Sequence, residues 1–130
     1  MFDHIGFPVS NLPHSKRFYQ TALEPIGVAI VMELTAEQTG TSSQAGFGEN
    51  GKPYFWIGDG EGVVRGRLHI AFTAKTRADV DAFHKAALAA GGRDNGKPGL
   101  RPHYHAHYYG AFVLDPDGHN IEAVCHSAEA

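Results

Sequence analysis

The 130-residue chain contains one cysteine, Cys125, so neither an intramolecular disulfide framework nor a multi-cysteine zinc site is open to it. It has no apolar run long enough to cross a bilayer and no signal-peptide pattern at its start. Basic residues are few: 11 Lys and Arg, scattered rather than clustered, stand against 14 Asp and Glu. A surface that tracks nucleic-acid phosphates is therefore not expected. Charged residues make up only 19% and hydrophobic ones 42%, which excludes a disordered chain and supplies a core. The length suffices for one domain, taken as 1–130, and not for two independent ones. These absences predict a small, soluble, cytoplasmic protein. Against two Met and one Trp, the nine histidines are what needs explaining.

An internal repeat organises the chain. Shifted by 65 residues, His4, Ile5 and Phe7 fall on His69, Ile70 and Phe72. Phe18 falls on Phe83, Ala22 and Leu23 on Ala87 and Leu88, and Gly27 on Gly92. Those seven identities between positions 4 and 27 exceed the roughly one or two that ordinary residue frequencies give. Two copies of one supersecondary unit are predicted, module one over about 1–62 and module two over about 66–126.

Each copy opens with a strand, Phe2 to Val9 and Leu68 to Thr73. A helix follows in each. Ser10 or Asn11 can cap the first, with Pro13 in its first turn; Thr76 and Asp79 form a capping-box-like start to the second. Gly91-Gly92 supplies the second helix's stop. Short strands are predicted at Val28 to Leu34, Ala45 to Phe47, Tyr54 to Ile57, Tyr109 to Leu114 and Asn120 to Val124, with a further one near Arg93. Asp115-Pro116-Asp117-Gly118 reads as a hairpin turn. Thr35 to Ser43 and Gly92 to Pro102 are polar and Gly/Pro-rich and read as loops. The fold class is α+β, a βαβββ unit used twice.

A pseudo-twofold axis through two such units would lay their first strands side by side and aim His4 and His69 at one cavity. On the last strand, alternation puts Asn120, Glu122 and Val124 on one face. Two imidazoles and a carboxylate are a common donor set for a divalent metal with open positions. The structural alternative is a pair of hydrogen-bonded core histidines, with Glu122 paired to an arginine.

These residues resemble the vicinal oxygen chelate superfamily, which includes glyoxalase I, bleomycin-resistance proteins, fosfomycin-resistance thiol transferases and extradiol ring-cleaving dioxygenases. The resemblance is carried by Asp3-His4-Ile5-Gly6, the Ser15 to Tyr19 helix motif, Leu68-His69-Ile70-Ala71-Phe72, and Asp115-Pro116-Asp117-Gly118 leading to Ile121-Glu122. It implies two βαβββ modules forming a mixed sheet around a metal cleft, with His4, His69 and Glu122 as ligands to one divalent ion (Zn, Ni, Co, Mn or Fe). It also implies a homodimer. The implied activity is a glyoxalase I-like lyase or isomerase acting on a small oxygen-chelating substrate, a thiol hemithioacetal of a 2-oxoaldehyde being one candidate. Glyoxalase I adds a fourth ligand on the last strand of its first module; a shift of 65 from Glu122 gives Ile57, with Asp59 and Glu61 close by as substitutes. Its first-strand Arg is here Pro8, for which Arg65, Arg67 or Arg101 could stand in. The ring-cleaving dioxygenases need only the His, His, Glu triad, and their signature His is matched by His105, but their Tyr position is Phe112. A non-catalytic, bleomycin-resistance-like binding protein is the alternative of another class.

The remaining candidates are weighed on their placement. His103, His105 and His107 alternate, so in an extended segment all three would share one side and rival the triad for a metal. Alternatively His105, with Tyr108 or Tyr109, overhangs the pocket as an acid or base. His14 and His84 lie among charged residues on the helices and are expected to be solvated, while His119 lies in the turn. Cys125 has the opposite parity to Glu122 and is expected to pack. Phe47, Tyr54, Phe55 and Trp56 are core or sheet-face aromatics, with Trp56 and Phe47 as candidates for a substrate wall.

Overall fold

A computed structural model describes residues 1–128. The first module runs β1 (Ile5–Pro8), α1 (Leu12–Leu23) closed by a 3-10 turn (Glu24–Ile26), β2 (Ala29–Leu34), a helical turn α2 (Ala36–Thr39), β3 (Gln44–Glu49) and β4 (Lys52–Gly58). The second runs β5 (His69–Thr73), α3 (Arg77–Ala89), β6 (Arg93–Leu100), β7 (Tyr109–Leu114) and β8 (Asn120–Cys125). Each module is a four-stranded mixed sheet, ordered β1-β4-β3-β2 and β5-β8-β7-β6. The first strand runs parallel to the last in both, and the remaining pairs are antiparallel. The doubled βαβββ unit expected from the repeat is the architecture observed.

Both helices start on the caps their sequences offer. The Asn11 side chain accepts from the His14 N–H and Thr76 from the Asp79 N–H, each satisfying a donor the first turn leaves orphaned. Phe18, Tyr19, Ala22 and Leu23 on α1, and Val80, Phe83 and Ala87 on α3, face the sheets. The core they form with Phe47, Phe55, Ile57, Phe72, Val113 and Ile121 runs continuously through both modules. Aromatic edges join it, Tyr19 against Phe55 at 5.0 Å and Phe55 against Phe72 at 5.2 Å between ring centres.

The hairpin turn at 115–118 does more than reverse the chain. Asp115 accepts the backbone N–H groups of Asp117 and His119 at 2.9 and 2.8 Å and the buried Tyr19 hydroxyl of α1. Asp117 accepts from the Ser10 N–H at 3.0 Å and from its hydroxyl. Two carboxylates of one four-residue turn thus latch the second module to the first.

Four expectations need correction. The segment Gly92 to Pro102 is not a loop: Arg93–Leu100 is strand β6, an edge strand with register irregularities and Pro98 inside it. An edge strand needs neither apolar alternation nor a donor at every residue, so its composition hid all but its start, the strand expected near Arg93. Thr35 to Ser43 contains α2, closed by a reciprocal Thr35–Gln38 capping box. His84 is buried, its Nε2 3.0 Å from Asp94 Oδ1, rather than solvated. The first strands β1 and β5 do not pair; each is the outer strand of its own sheet, and both line an apolar cavity that includes Ile5, Phe55, Ile70 and Phe72.

Candidate functional site

On β8 the side chains of Ile121, Ala123 and Cys125 point into the core, so Glu122 is turned to the opposite, inner face of the sheet. Parallel pairing sets β5 beside it with Ala71 opposite Glu122 and His69 opposite Asn120. His69 Nε2 lies 3.0 Å from Glu122 Oε1, and the Tyr108 hydroxyl donates to Oε2. The Glu122 carboxylate is nearly fully buried, whereas the His69 side chain is about half exposed, so the pair sits at a surface with its acid end anchored. Burial, then the Glu122 contact, holds the Tyr108 phenol above its ordinary value, keeping the proton on the donor. Gly110 lies under both: a Cβ there would stand 3.1 Å from Glu122 Oε2 and 3.2 Å from the Tyr108 ring.

His69 and Glu122 fit a divalent ion by geometry and donor type. Two ligands about 2.1 Å from one ion and at right angles to each other stand about 3.0 Å apart, and Nε2 and Oε1 have that separation. His4 is placed elsewhere. It is largely exposed, Nδ1 lies 2.8 Å from Asp3 Oδ1, and it lines a cavity of about 580 Å³ with Leu34, Gln44, Lys52, Pro53 and Trp56, all of module one. Hydrogen bonds from His4 and Lys52 pull the Asp3 carboxyl below its usual range. Among the described residues, no three His, Cys, Asp or Glu side chains are grouped closely enough within one chain to hold an ion.

The register also relocates the fourth-ligand position. Ala71 is the repeat partner of Gly6, and Gly6 pairs with Trp56 as Ala71 pairs with Glu122. The counterpart of Glu122 is therefore Trp56, not Ile57, which is core. The repeat spacing grows from 65 to 66 between helix and last strand, which a shift without gaps could not register. Trp56 walls the His4 cavity. Asp59 accepts the Ser43 N–H at 2.8 Å and lines a neighbouring cavity with Pro8 and Glu61.

The other candidates separate by face. Phe47 is buried in the core. The Tyr109 hydroxyl donates to Asp81 of α3 at 2.7 Å, with the Arg77 guanidinium over its ring, on the helix side of the sheet. Arg101 covers Phe112, whose ring centre is 6.1 Å from that of His69. Residues 101–108 turn rather than extend, so His103, His105 and His107 do not share one side; His105 meets His126 instead. Of the two tyrosines the sequence offers beside His105, Tyr108 is the one that reaches Glu122, and its position just ahead of β7 separates it from Tyr109. His119 is buried, its Nδ1 accepting from the Leu68 N–H at 3.3 Å and its ring edge-on to Phe7.

The sequence matches the family model described as Glyoxalase/Bleomycin resistance protein/Dioxygenase superfamily over residues 1–123. Among solved structures, it is similar to a glyoxalase/bleomycin resistance protein from Albidiferax ferrireducens T118, with 28% identity over 96% of this chain and 98% of that one, and a TM-score of 0.77. A mutant glyoxalase I from Zea mays shares the fold at 20% identity and a TM-score of 0.72, over 95% of this chain and 46% of that one; this chain spans about half its length. A mutant of the fosfomycin resistance protein FosX from Listeria monocytogenes, complexed with Mn(II) and 1S,2S-dihydroxypropylphosphonic acid, matches at 20% identity over 95% of this chain and 90% of that one, with a TM-score of 0.68. Comparison with the curated proteins gave no match. With the family model matched over residues 1–123 and the doubled βαβββ frame in place, the chain belongs to the Glyoxalase/Bleomycin resistance protein/Dioxygenase superfamily.

Proposed function

We propose that the protein is a metal-dependent, glyoxalase I-like lyase or isomerase acting on a small substrate that chelates through oxygen, with a thiol hemithioacetal of a 2-oxoaldehyde as one candidate. The observation that carries this reading is the His69–Glu122 pair, two ligand types held at ligand separation on an open sheet face, with the carboxylate fixed by Tyr108. His69 and Glu122 hold one divalent ion, and His4 is the third ligand. Because the His4 cavity is built from module one alone, that histidine comes from a second copy, and the working form is a homodimer. The outer strand β1, with Ile5 and Phe2 exposed, gives such a copy an unpaired edge and apolar side chains to meet.

An ion so held supplies Lewis acidity to an oxyanion formed on the substrate. Around it, Tyr108 keeps the Glu122 oxygens oriented, Trp56 and Lys52 flank the substrate beside His4, and Arg101 on Phe112 offers a cation near His69. The tryptophan-walled cavity also supports a second reading, sequestration of a ligand without catalysis.

Elemental analysis of the untagged protein tests the proposal. About one divalent ion per chain is expected, lost in both His4→Ala and His69→Ala. Mixing the two variants should restore part of the occupancy, because a mixed dimer carries one intact site. Full occupancy in His69→Ala overturns the site, and no retained or rebindable metal in the wild type turns the reading to sequestration.

A further inference from the structure

Beyond Tyr108 lies a second group of nitrogen donors that the first site does not use. His105 Nε2 and His126 Nδ1 face each other at 2.6 Å, with the two rings stacked at 25° and their centres 4.8 Å apart. Both are held in place. The turn carrying His105 is closed by the Arg101 N–H on the Tyr108 carbonyl at 2.7 Å and the Tyr108 N–H on the His105 carbonyl at 3.2 Å. His126 directly follows β8, whose last residue, Cys125, is buried. The Tyr108 ring packs edge-on to both imidazoles, 5.4 Å from each. The 2.6 Å contact brings two ring nitrogens together at an exposed surface, and parting them by a few tenths of an ångström reaches the roughly 2.8–3.0 Å at which two ligands share one ion.

We propose that His105 and His126 form a second metal site, a two-imidazole clamp for a divalent transition ion, next to the first site but independent of it. Imidazole pairs suit copper, nickel and zinc, and Cu(II) heads the affinity order for such donors. The ion replaces the proton shared between the two rings. The His107 N–H donates to His105 Nδ1 at 3.2 Å, which puts the His105 proton on Nε2. Loading therefore shifts His105 to its other tautomer and gives up that longer contact. Tyr108 then stands between the two ions, touching both imidazoles of one site and the carboxylate of the other.

Cu(II) added to the untagged protein, followed by calorimetry and pulsed electron paramagnetic resonance, provides the test. The copper bound per chain should fall by one in His126→Ala and in His105→Ala, whatever the first site binds. A variant carrying His69→Ala and Glu122→Ala should keep one Cu(II) with a two-imidazole signature. Adding His126→Ala to it should weaken binding by roughly tenfold or more and remove that signature. Unchanged stoichiometry in both His105→Ala and His126→Ala overturns the proposal, as does loss of the ion in His103→Ala or His14→Ala while the His105 and His126 variants retain it.

Discussion

In module two the inner face of the last strand carries Glu122, nearly fully buried between His69 and Tyr108; at the same register in module one it carries Trp56, half-buried beside His4. The helices differ in a matched way. Tyr19 of α1 and His84 of α3 are repeat partners, both buried, and each reaches a carboxylate, Asp115 in one case and Asp94 in the other. Asp94 is the second residue of the edge strand of its own module, while Asp115 belongs to the other module. One duplicated frame thus holds its polar groups to two ends: module two carries the His69–Glu122 pair, and module one carries His4, an aromatic wall and the anchor for the partner module's turn.

The sharpest break of this comparison is at the register position itself. Glu122→Ala should lower metal affinity by more than the roughly 10- to 100-fold that outer hydrogen-bond partners of ligands carry. Trp56→Ala should leave the metal in place and weaken only the binding of organic ligands. Elemental analysis beside ligand titration reads both. Equal metal loss in the two variants would mean that the modules contribute alike.

The helix comparison predicts a smaller effect, on stability. Tyr19→Phe removes one donor from the buried Asp115 and should cost about 1–3 kcal/mol by denaturant unfolding. Burial and Asp115 hold the Tyr19 phenol well above its ordinary value of 10.0. Its proton is therefore retained in the folded state at pH values where the unfolded chain has lost it. That stabilisation is complete below pH 10 and declines as pH rises towards the folded value. Tyr54, pushed up to about 12, acts with the same sign. Tyr19→Phe should therefore flatten the alkaline limb of the stability profile without abolishing it.

How much of this was legible in the sequence follows from what makes a local pattern. The helices and their caps could be read because Asn11, Thr76 and the periodic apolar residues act within a turn or two. The parity of Glu122 followed from alternation alone. Strand β6 could be read only at its start near Arg93, because an edge strand with Pro98 inside it carries no apolar period. The true counterpart of Glu122 could not be read: one extra residue before the last strands changes a face, and pairing reveals it where identities do not. His126 was unreadable for a third reason, since its meeting with His105 depends on a turn at 101–108 whose alternating histidines suggested extension.

The finest test contrasts two glycines of the inner faces: Gly46, which pairs with Trp56, and Gly110, two residues from Phe112, which pairs with Glu122. A Cβ on Gly110 meets Glu122 Oε2 and the Tyr108 ring at 3.1 and 3.2 Å, so the carboxylate or the phenol must yield by a few tenths of an ångström. A Cβ on Gly46 meets Pro53 and the Trp56 ring at 2.9 Å, where only the aromatic wall can move. Gly110→Ala should therefore weaken metal binding by about tenfold, the low end of what displaced ligand partners cost, while Gly46→Ala leaves metal affinity unchanged and alters ligand binding. Calorimetric metal titration of both variants distinguishes the outcomes. If Gly46→Ala weakened the metal as much as Gly110→Ala, the Trp56 wall would have to press on the ion's own ligands, and the division of labour between the modules would fail at its closest point.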